Sequence, residues 1–417
     1  MMYRNKPHFI IKANLQKSKT TGVYFSDVVT PDILSDVSQR ITGQTDFTYS
    51  YVDNNYEDEF LGKGYNKGRI AIMQYKDTAF YISFSEKDIG GRNSSVQSVP
   101  TAFNMFYMNP YPKKRLCYYF LNVQGNAGTE YQLLMYRLME TIGFEFLNAD
   151  IALTQSITAF GSIEDIMHSR RANARRNRSN NSTFITKSSI NQFDIYGKTY
   201  GANKYETSMM CYALSLLAQP NQNVTLYEML EGKLKELPKP SLDVLTRMNN
   251  VTIVPTNMQL EKRAFEENNS LRSPRYIYNL LDRLGPKHCA LCGCEIPELI
   301  QGAHIWPVAE IKKAGGLSID QKLEHALNGN NGIWLCENHH KMFDQGLLSI
   351  NTSGQVIFES HLNTHDIEFM KKITTIRQLP KIIMSDEFIQ YLNIRSTLTS
   401  NDKDTQIGKE AKLYSSP

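Results

Sequence analysis

The sequence lacks any long apolar run, and it has little cysteine and little tryptophan. No stretch of its 417 residues approaches the roughly 18 apolar residues needed to cross a bilayer. Residues 1–12 carry charge but no long apolar core, so we expect a cytoplasmic protein that is neither secreted nor inserted in a membrane. A large excess of charge is also missing, since 46 basic residues face 42 acidic ones. This balance permits a nucleic-acid partner without requiring one. Local clusters of charged residues are the better indicator of such a partner.

The chain does have enough hydrophobic sequence for two or three domains. Its hydrophobic share of 41% excludes a largely disordered chain. Within 69–84, two runs of β-branched or aromatic residues flank a short polar break, which predicts a β-hairpin. A capping pattern at Thr129 and apolar residues at helical spacing predict an amphipathic helix that ends before Gly143. Further helices are predicted over 225–232 and within 261–282, so the chain mixes strands and helices.

An arginine-rich segment at 169–181 interrupts this pattern. Its sequence, SRRANARRNRSNN, has no apolar face, so we expect it outside the core. One interpretation is a solvated loop. The other is an arm that contacts DNA phosphates, because guanidinium groups bind phosphate oxygens in forked pairs. The arginines concerned are Arg170, Arg171, Arg175, Arg176 and Arg178.

Closely spaced glycines follow within 190–207 and lead into an apolar helix capped by Asn203 and Glu206. The glycine spacing fits neither a phosphate-binding loop nor a dinucleotide fingerprint. A plain strand-to-helix connection and a ligand-docking loop therefore remain alternatives. If the loop docks DNA, Lys198 and Lys204 are its candidate contacts.

The six cysteines are distributed unevenly. Two stand alone, and four crowd into one C-terminal region, which is not the spread pattern of a disulfide framework. Cys289 and Cys292 have the C-x-x-C spacing that presents two thiolates to one Zn²⁺, and Cys336 with His339 offers a second pair. The sequence therefore predicts a structural zinc site with three Cys and one His. Cys294 is either a bystander or an alternative ligand.

A structural zinc does not explain three further residues of this region. His304 lies in the run AHIWP, Asn331 precedes the run GIWLC, and His340 directly follows the proposed zinc ligand. With the flanking C-x-x-C, this order resembles the HNH, or ββα-metal, endonuclease family. In that family a first His ends a strand, an Asn lies in the loop, and a last His lies on the following helix. The resemblance covers about residues 287–350.

The resemblance implies a role for each residue. His304 would be the general base, because an imidazole titrates near neutral pH and can take a proton from water. Asn331 would orient the loop and the His304 ring by hydrogen bonding. His340 would bind a catalytic divalent cation, Mg²⁺ or another, with Asp344 one helical turn further on as candidate second ligand. The commoner family pattern has an acidic metal ligand where this chain has Ala303. The alternative for Asp344 is that it caps the helix or pairs with a neighbouring residue and does not bind the cation.

The resemblance also implies an α+β fold class. A mixed N-terminal DNA-recognition region would precede a small C-terminal ββα-metal (HNH) nuclease domain with a structural zinc. The sequence breaks suggest the boundaries. They predict a recognition region at 1–285 with a break near 160–182, a nuclease domain at 286–360, a helical extension at 361–400 and a disordered tail at 401–417.

This architecture suggests a function by analogy. A small HNH module attached to a large loop-rich region resembles a type II restriction endonuclease, which implies double-stranded DNA as the substrate. It also implies a homodimer for a palindromic target, and a cognate DNA methyltransferase as genetic partner. The alternatives are a homing nuclease, a modification-dependent nuclease with an aromatic cage for a flipped base, and a non-catalytic zinc-ribbon DNA-binding protein. The last would have no need of His304, Asn331 and His340.

Overall fold

The computed structural model describes part of the chain. The described stretches are 8–13, 48–52, 69–75, 78–84, 114–122, 129–143, 145–150, 158–176, 183–199, 203–230, 239–268, 273–360 and 362–398, with single positions between 31 and 43. The chain divides into two compact units, one of Met1–Ile185 with Gly197–Pro255 and one of Thr186–Tyr196 with Thr256–Pro417. Within these stretches, no helix is long and apolar enough to span a bilayer.

The first unit contains a six-stranded sheet whose strands are rich in β-branched and aromatic residues, as a pleated backbone favours. The strands are β1 (His8–Ala13), β2 (Thr48–Val52), β3 (Arg69–Tyr75), β4 (Thr78–Phe84), β5 (Lys114–Asn122) and β6 (Glu145–Asp150). Their order is β2-β3-β4-β5-β1-β6, antiparallel from β2 to β4 and parallel from β4 to β6. The predicted hairpin is confirmed, since Arg69 lies opposite Phe84 and Tyr75 opposite Thr78.

The described helices of the first unit follow the amphipathic patterns in the sequence. They are α1 (Thr129–Thr141), α2 (Ile163–Arg176), α3 (Asn203–Leu217) and α4 (Lys239–Leu245). In α1, Leu134 and Leu138 lie one turn apart and are fully buried. The chain leaves this helix through Gly143, whose φ of 95° favours glycine. Met210 and Leu214 are buried in the same way on α3.

Four further strands precede residue 257. Strands β7 (Thr183–Ser189) and β8 (Gln192–Lys198) form a hairpin, and β9 (Asn223–Met229) pairs with β10 (Val251–Thr256). The helix predicted over 225–232 is wrong, because most of that segment belongs to β9. Val224 and Leu226 are buried with the two-residue period of a strand. Pairing with β10 therefore overrode the local capping pattern.

The second unit carries the predicted nuclease residues. Its helices are α5 (Met258–Glu267), α6 (Pro274–Leu284), α7 (Val308–Lys313), α8 (Ile319–Leu327), α9 (Glu337–Asp344), α10 (Thr364–Ile373) and α11 (386–398). Its further strands are β11 (Ile300–His304), β12 (Gly332–Cys336), β13 (Leu348–Ile350) and β14 (Val356–Phe358). β11 and β12 are antiparallel, with His304 opposite Gly332, and α9 follows β12 directly. This is a ββα arrangement with α7 and α8 inserted between the strands.

Helix α6 belongs to this unit. Its C-cap is Gly285, whose φ of 79° favours glycine. It packs on β11 and β12 where both strands lack a side chain: a Cβ at Gly302 would lie 2.5 Å from Leu280 Cδ1, and one at Gly332 would overlap Tyr276 Oη. The boundary expected at residue 285 therefore falls inside the second unit, because the two-stranded sheet needs α6 as a cover.

Candidate active site and metal centre

The four predicted zinc ligands come together. Cys289 and Cys292 lie in the turn before β11, Cys336 is the N-cap of α9, and His339 lies in the first turn of that helix. Their ligand atoms all lie within 4.8 Å of one another. The Cys292 Sγ to Cys336 Sγ distance is 3.9 Å, and Cys289 Sγ lies 3.5 Å from His339 Nδ1. A tetrahedral Zn²⁺ with bonds of ~2.3 Å to sulfur and ~2.0 Å to nitrogen has edges of about 3.8 and 3.5 Å, so the group is consistent with zinc.

The surroundings of this group suit a metal. His339 turns Nδ1 toward the thiols, while its Nε2 lies 3.1 Å from Thr374 Oγ1, a contact that orients the ring. Burial raises the pKa of the Cys289 thiol to about 12. The thiolate that zinc needs would thus form only together with the bound cation, with release of a proton.

Cys294 plays a different part. Its backbone oxygen accepts a hydrogen bond from Cys289 N at 2.9 Å, which closes the turn that carries the first two cysteines. Its side chain is not among the four that converge. The geometry favours the bystander interpretation of Cys294.

His304 ends β11 with its half-buried ring held from two sides. The ring stacks on Tyr276 of α6, with centroids 3.9 Å apart and planes 12° from parallel. Its Nε2 lies 2.9 Å from Ala326 O. Because a carbonyl oxygen only accepts, Nε2 carries the hydrogen, and in the neutral ring Nδ1 keeps a lone pair. Burial, helped by nearby His340, lowers the pKa of His304 from 6.5 to about 4, so the ring is neutral at physiological pH.

Asn331 is fully buried and holds the loop that follows His304. Its Oδ1 accepts a hydrogen bond from Trp306 N at 2.7 Å, and its Nδ2 donates to Trp306 O and His325 O, both at 3.1 Å. These bonds fix the backbone beyond the end of β11. The hydrogen bond expected between Asn331 and the His304 ring is supplied by Ala326 O instead.

His340 and Asp344 face each other on α9. His340 Nε2 lies 3.3 Å from Asp344 Oδ2, as i,i+4 spacing predicts. The other ring nitrogen, Nδ1, lies 3.1 Å from Gln301 Oε1 of β11. Because the charge of His340 also contributes to the lowered pKa of His304, the two imidazoles are electrostatic neighbours. An imidazole and a carboxylate suited to a divalent cation therefore lie close to the candidate base.

The prediction that Arg170 contacts phosphate is wrong. Most of the arginine segment lies in α2, and Arg170 is only 4% exposed. Its Nη2 lies 3.1 Å from Glu206 Oε1, and its Nε donates to Thr183 O at 2.9 Å. Glu206, predicted as a helix cap, is instead the buried partner that neutralises this guanidinium. Arg170 therefore joins α2 to α3 and is not available to DNA.

The other predicted DNA contacts are placed only in part. Four of them lie on helices of the first unit: Arg171, Arg175 and Arg176 on α2, and Lys204 on α3. Lys198 ends β8 and is half-buried, and Arg178 lies outside the described residues. Contact of these residues with DNA stays a prediction.

Sequence reasoning missed two residues that support the loop around His304. Tyr276 supplies the stacking ring, and Arg395 of α11 donates to Ile305 O at 3.0 Å and to Phe343 O at 2.6 Å. The amphipathic pattern of α6 predicts that Tyr276 is buried, but not which residue it covers. Nothing in the sequence near Arg395 marks it as part of the site.

Comparison with protein families gives a match in the C-terminal part of the chain. Residues 289–351 match the family model described as HNH endonuclease. The matched stretch lies in the second unit and contains the four candidate zinc ligands together with His304, Asn331 and His340. No curated protein matches the chain. The chain thus carries an HNH endonuclease domain in its C-terminal part, and this domain suggests a nuclease that acts on DNA.

Proposed function

We propose that the protein is a metal-dependent endonuclease that hydrolyses phosphodiester bonds at specific double-stranded DNA sites, as a type II restriction endonuclease does. The observation that carries the proposal is a neutral His304, with a lone pair on Nδ1, beside the His340 and Asp344 pair. Phosphodiester hydrolysis needs an activated water and positive charge at the scissile phosphate. His304 provides the base for the first requirement, and α9 provides ligands for the second.

In this proposal each residue has a defined task. Nδ1 of His304 takes a proton from the attacking water, while Ala326 O, bonded to Nε2–H, stabilises the imidazolium that forms. Asn331 keeps the loop in place, so the ring stays aligned. A divalent cation held by His340 and Asp344, Mg²⁺ or another, would neutralise charge on the phosphate and on the leaving oxygen.

Choice of the DNA site is assigned to the first unit. Arg171, Arg175, Arg176 and Lys204 would contact backbone phosphates there, and a palindromic target would require a homodimer. A cognate DNA methyltransferase would protect the host DNA. A homing or a modification-dependent nuclease would use the same catalytic residues and differ in the DNA that it cuts.

A non-catalytic zinc-ribbon DNA-binding protein is the alternative from another class. It accounts for the four zinc ligands. It does not account for a neutral histidine held by Tyr276 and Ala326 O next to the His340 and Asp344 pair, and this observation favours the nuclease.

A cleavage assay tests the proposed function directly. Methylated and unmethylated plasmids are incubated with the full chain and Mg²⁺ or Mn²⁺, and with EDTA as the control. Fixed fragments from unmethylated plasmid, lost with EDTA, are expected. Fragments from methylated plasmid alone would indicate the modification-dependent alternative, whereas DNA binding without any cut under either cation would favour the zinc ribbon.

The role of Asp344 can be tested by its metal dependence. We expect Asp344→Asn to raise the divalent-cation concentration for half-maximal cleavage by roughly 10- to 100-fold, because an amide is a weaker ligand than a carboxylate. Glu337→Gln, an exposed change on the same helix, is the matched control and should behave as wild type. An unchanged metal requirement for Asp344→Asn would make this residue a local partner of His340 only.

The pH profile of cleavage should reflect the lowered pKa of His304. Its pKa of about 4 means that the ring is neutral above that pH and can accept a proton. The acid limb of log kcat is therefore expected near pH 4 and not near 6.5, with activity falling about tenfold per pH unit below it. Zinc content is measured at each pH, since acid also releases metal from thiolate ligands. An acid limb near pH 6.5 with zinc still bound would contradict this prediction.

A further inference from the structure

Arg395 touches both elements that carry the candidate catalytic residues. From α11, its Nη1 donates to Ile305 O at 3.0 Å and to His304 O at 3.4 Å. Its Nη2 donates to Phe343 O at 2.6 Å, on α9 next to Asp344. One guanidinium thus connects the end of β11, where the base lies, to the helix that carries the cation ligands.

The contact is packed as well as hydrogen-bonded. The guanidinium carbon lies 3.7 Å from the centroid of the Phe343 ring, within the range of a cation–π contact. Burial lowers the pKa of Arg395 to about 10, and the charge of Asp344 acts in the opposite direction. A positive group held in this way has little freedom to move.

We propose that Arg395 is a positioning residue that sets the spacing between His304 and the His340–Asp344 pair. Helix α11 thereby contributes to the geometry of the site. This inference rests on the proposed function. Base and cation must be held within a fraction of an ångström for efficient hydrolysis. Pairing of β11 with β12 and the contact of Gln301 with His340 hold the middle of β11 against α9, and Arg395 adds a bridge at the end of β11, where the base lies.

The chemistry of arginine suits this task. A planar guanidinium presents several N–H donors in fixed directions and can hold two carbonyl oxygens at a set separation. A lysine at this position keeps the positive charge near Asp344 but lacks the fork. The two properties can therefore be separated by substitution.

The test compares three variants by two measurements. The variants are Arg395→Lys, Arg395→Met and Leu392→Ala; the last removes a buried apolar side chain from the same helix. Mn²⁺ binding to the zinc-loaded chain is followed by electron paramagnetic resonance. Cleavage kinetics, with kcat and KM separated, are measured well below the unfolding temperature of each variant.

We expect Arg395→Lys and Arg395→Met both to weaken Mn²⁺ binding and to lower kcat, by roughly 10- to 100-fold, the range found when an orienting partner of a metal ligand is removed. KM for DNA and the zinc content should stay within twofold of wild type. Leu392→Ala should lower thermal stability and leave Mn²⁺ affinity and kcat unchanged. If Arg395→Met does not fold, the comparison of Arg395→Lys with wild type and Leu392→Ala is sufficient for the test.

Other outcomes overturn the inference. Wild-type Mn²⁺ affinity and kcat in Arg395→Lys would mean that the charge alone matters. If Leu392→Ala lost as much Mn²⁺ affinity and kcat as Arg395→Met, Arg395 would only stabilise the fold. If Mn²⁺ binding depends on Arg395 but the wild-type chain cuts no DNA, the positioning role stands and the proposed nuclease function fails. A wild-type chain that binds no Mn²⁺ beyond the four candidate zinc ligands would overturn both the positioning role and the proposed function.

Discussion

Replacing His304 by alanine is expected to lower kcat for DNA cleavage by ~10²- to 10⁴-fold, the usual contribution of a general base. The dissociation constant for DNA should stay the same, because the imidazole acts on water and does not hold the substrate. Single-turnover cleavage and an equilibrium binding assay in Ca²⁺ separate the two quantities.

Alanine also removes a ring that packs on Tyr276, so a second variant is needed to separate chemistry from packing. His304→Gln can still donate a hydrogen bond to Ala326 O, but its amide cannot take a proton. It should fold like wild type and be as inactive as His304→Ala. His365→Ala, whose side chain is 92% exposed, is the matched control and should cut at the wild-type rate.

Two results would contradict the assignment of His304. Cleavage by His304→Gln at the wild-type rate would show that the proton goes elsewhere. Loss of DNA binding in both variants, with activity and binding falling together, would make His304 a structural residue.

Replacing Cys292 by serine is expected to remove the zinc and unfold the start of α9. The zinc would connect the turn of Cys289 and Cys292 to Cys336 and His339, and structural zinc binding in small domains supplies on the order of 10 kcal/mol of folding free energy. Elemental analysis should fall from about one zinc per chain to near zero, as a four-ligand site loses one thiolate. Because His340 directly follows His339, cleavage should be lost as well.

Cys294→Ser is the matched control for this experiment. It changes the same kind of side chain two residues further on, outside the converging group. Zinc content, stability and cleavage should all be retained. Full zinc in Cys292→Ser, or an active wild-type chain without zinc, would show that the four residues do not hold a structural metal.

The zinc group was predictable from the sequence because its geometry is local. C-x-x-C in a turn and C-x-x-H across a helix N-terminus each place two ligands side by side, whatever the rest of the fold. The pairing of His340 with Asp344 is equally local, since residues four apart on a helix share one face. The hairpin at 69–84 and helix α1 were predicted for the same reason: their periodicity lies in neighbouring residues.

Predictions failed where distant residues decided the outcome. Arg170 lies in an arginine-rich polar run, yet a carboxylate 36 residues later makes its burial possible, since a buried charge is tolerated only when paired. Pairing with β10 turned the segment after residue 223 into a strand, against its local helical signals. Neither partner can be identified from the spacing of residues along the chain.

The sequence by itself thus determined the chemical inventory of the C-terminal part: four candidate zinc ligands, a candidate base and two candidate cation ligands. Only the tertiary structure decided how these groups are tuned. Stacking on Tyr276 and the bond to Ala326 O orient the ring of His304, burial lowers its pKa, and Arg395 ties its strand to α9. Orientation, desolvation and spacing depend on packing between elements far apart in sequence, and motifs specify residues without specifying that packing.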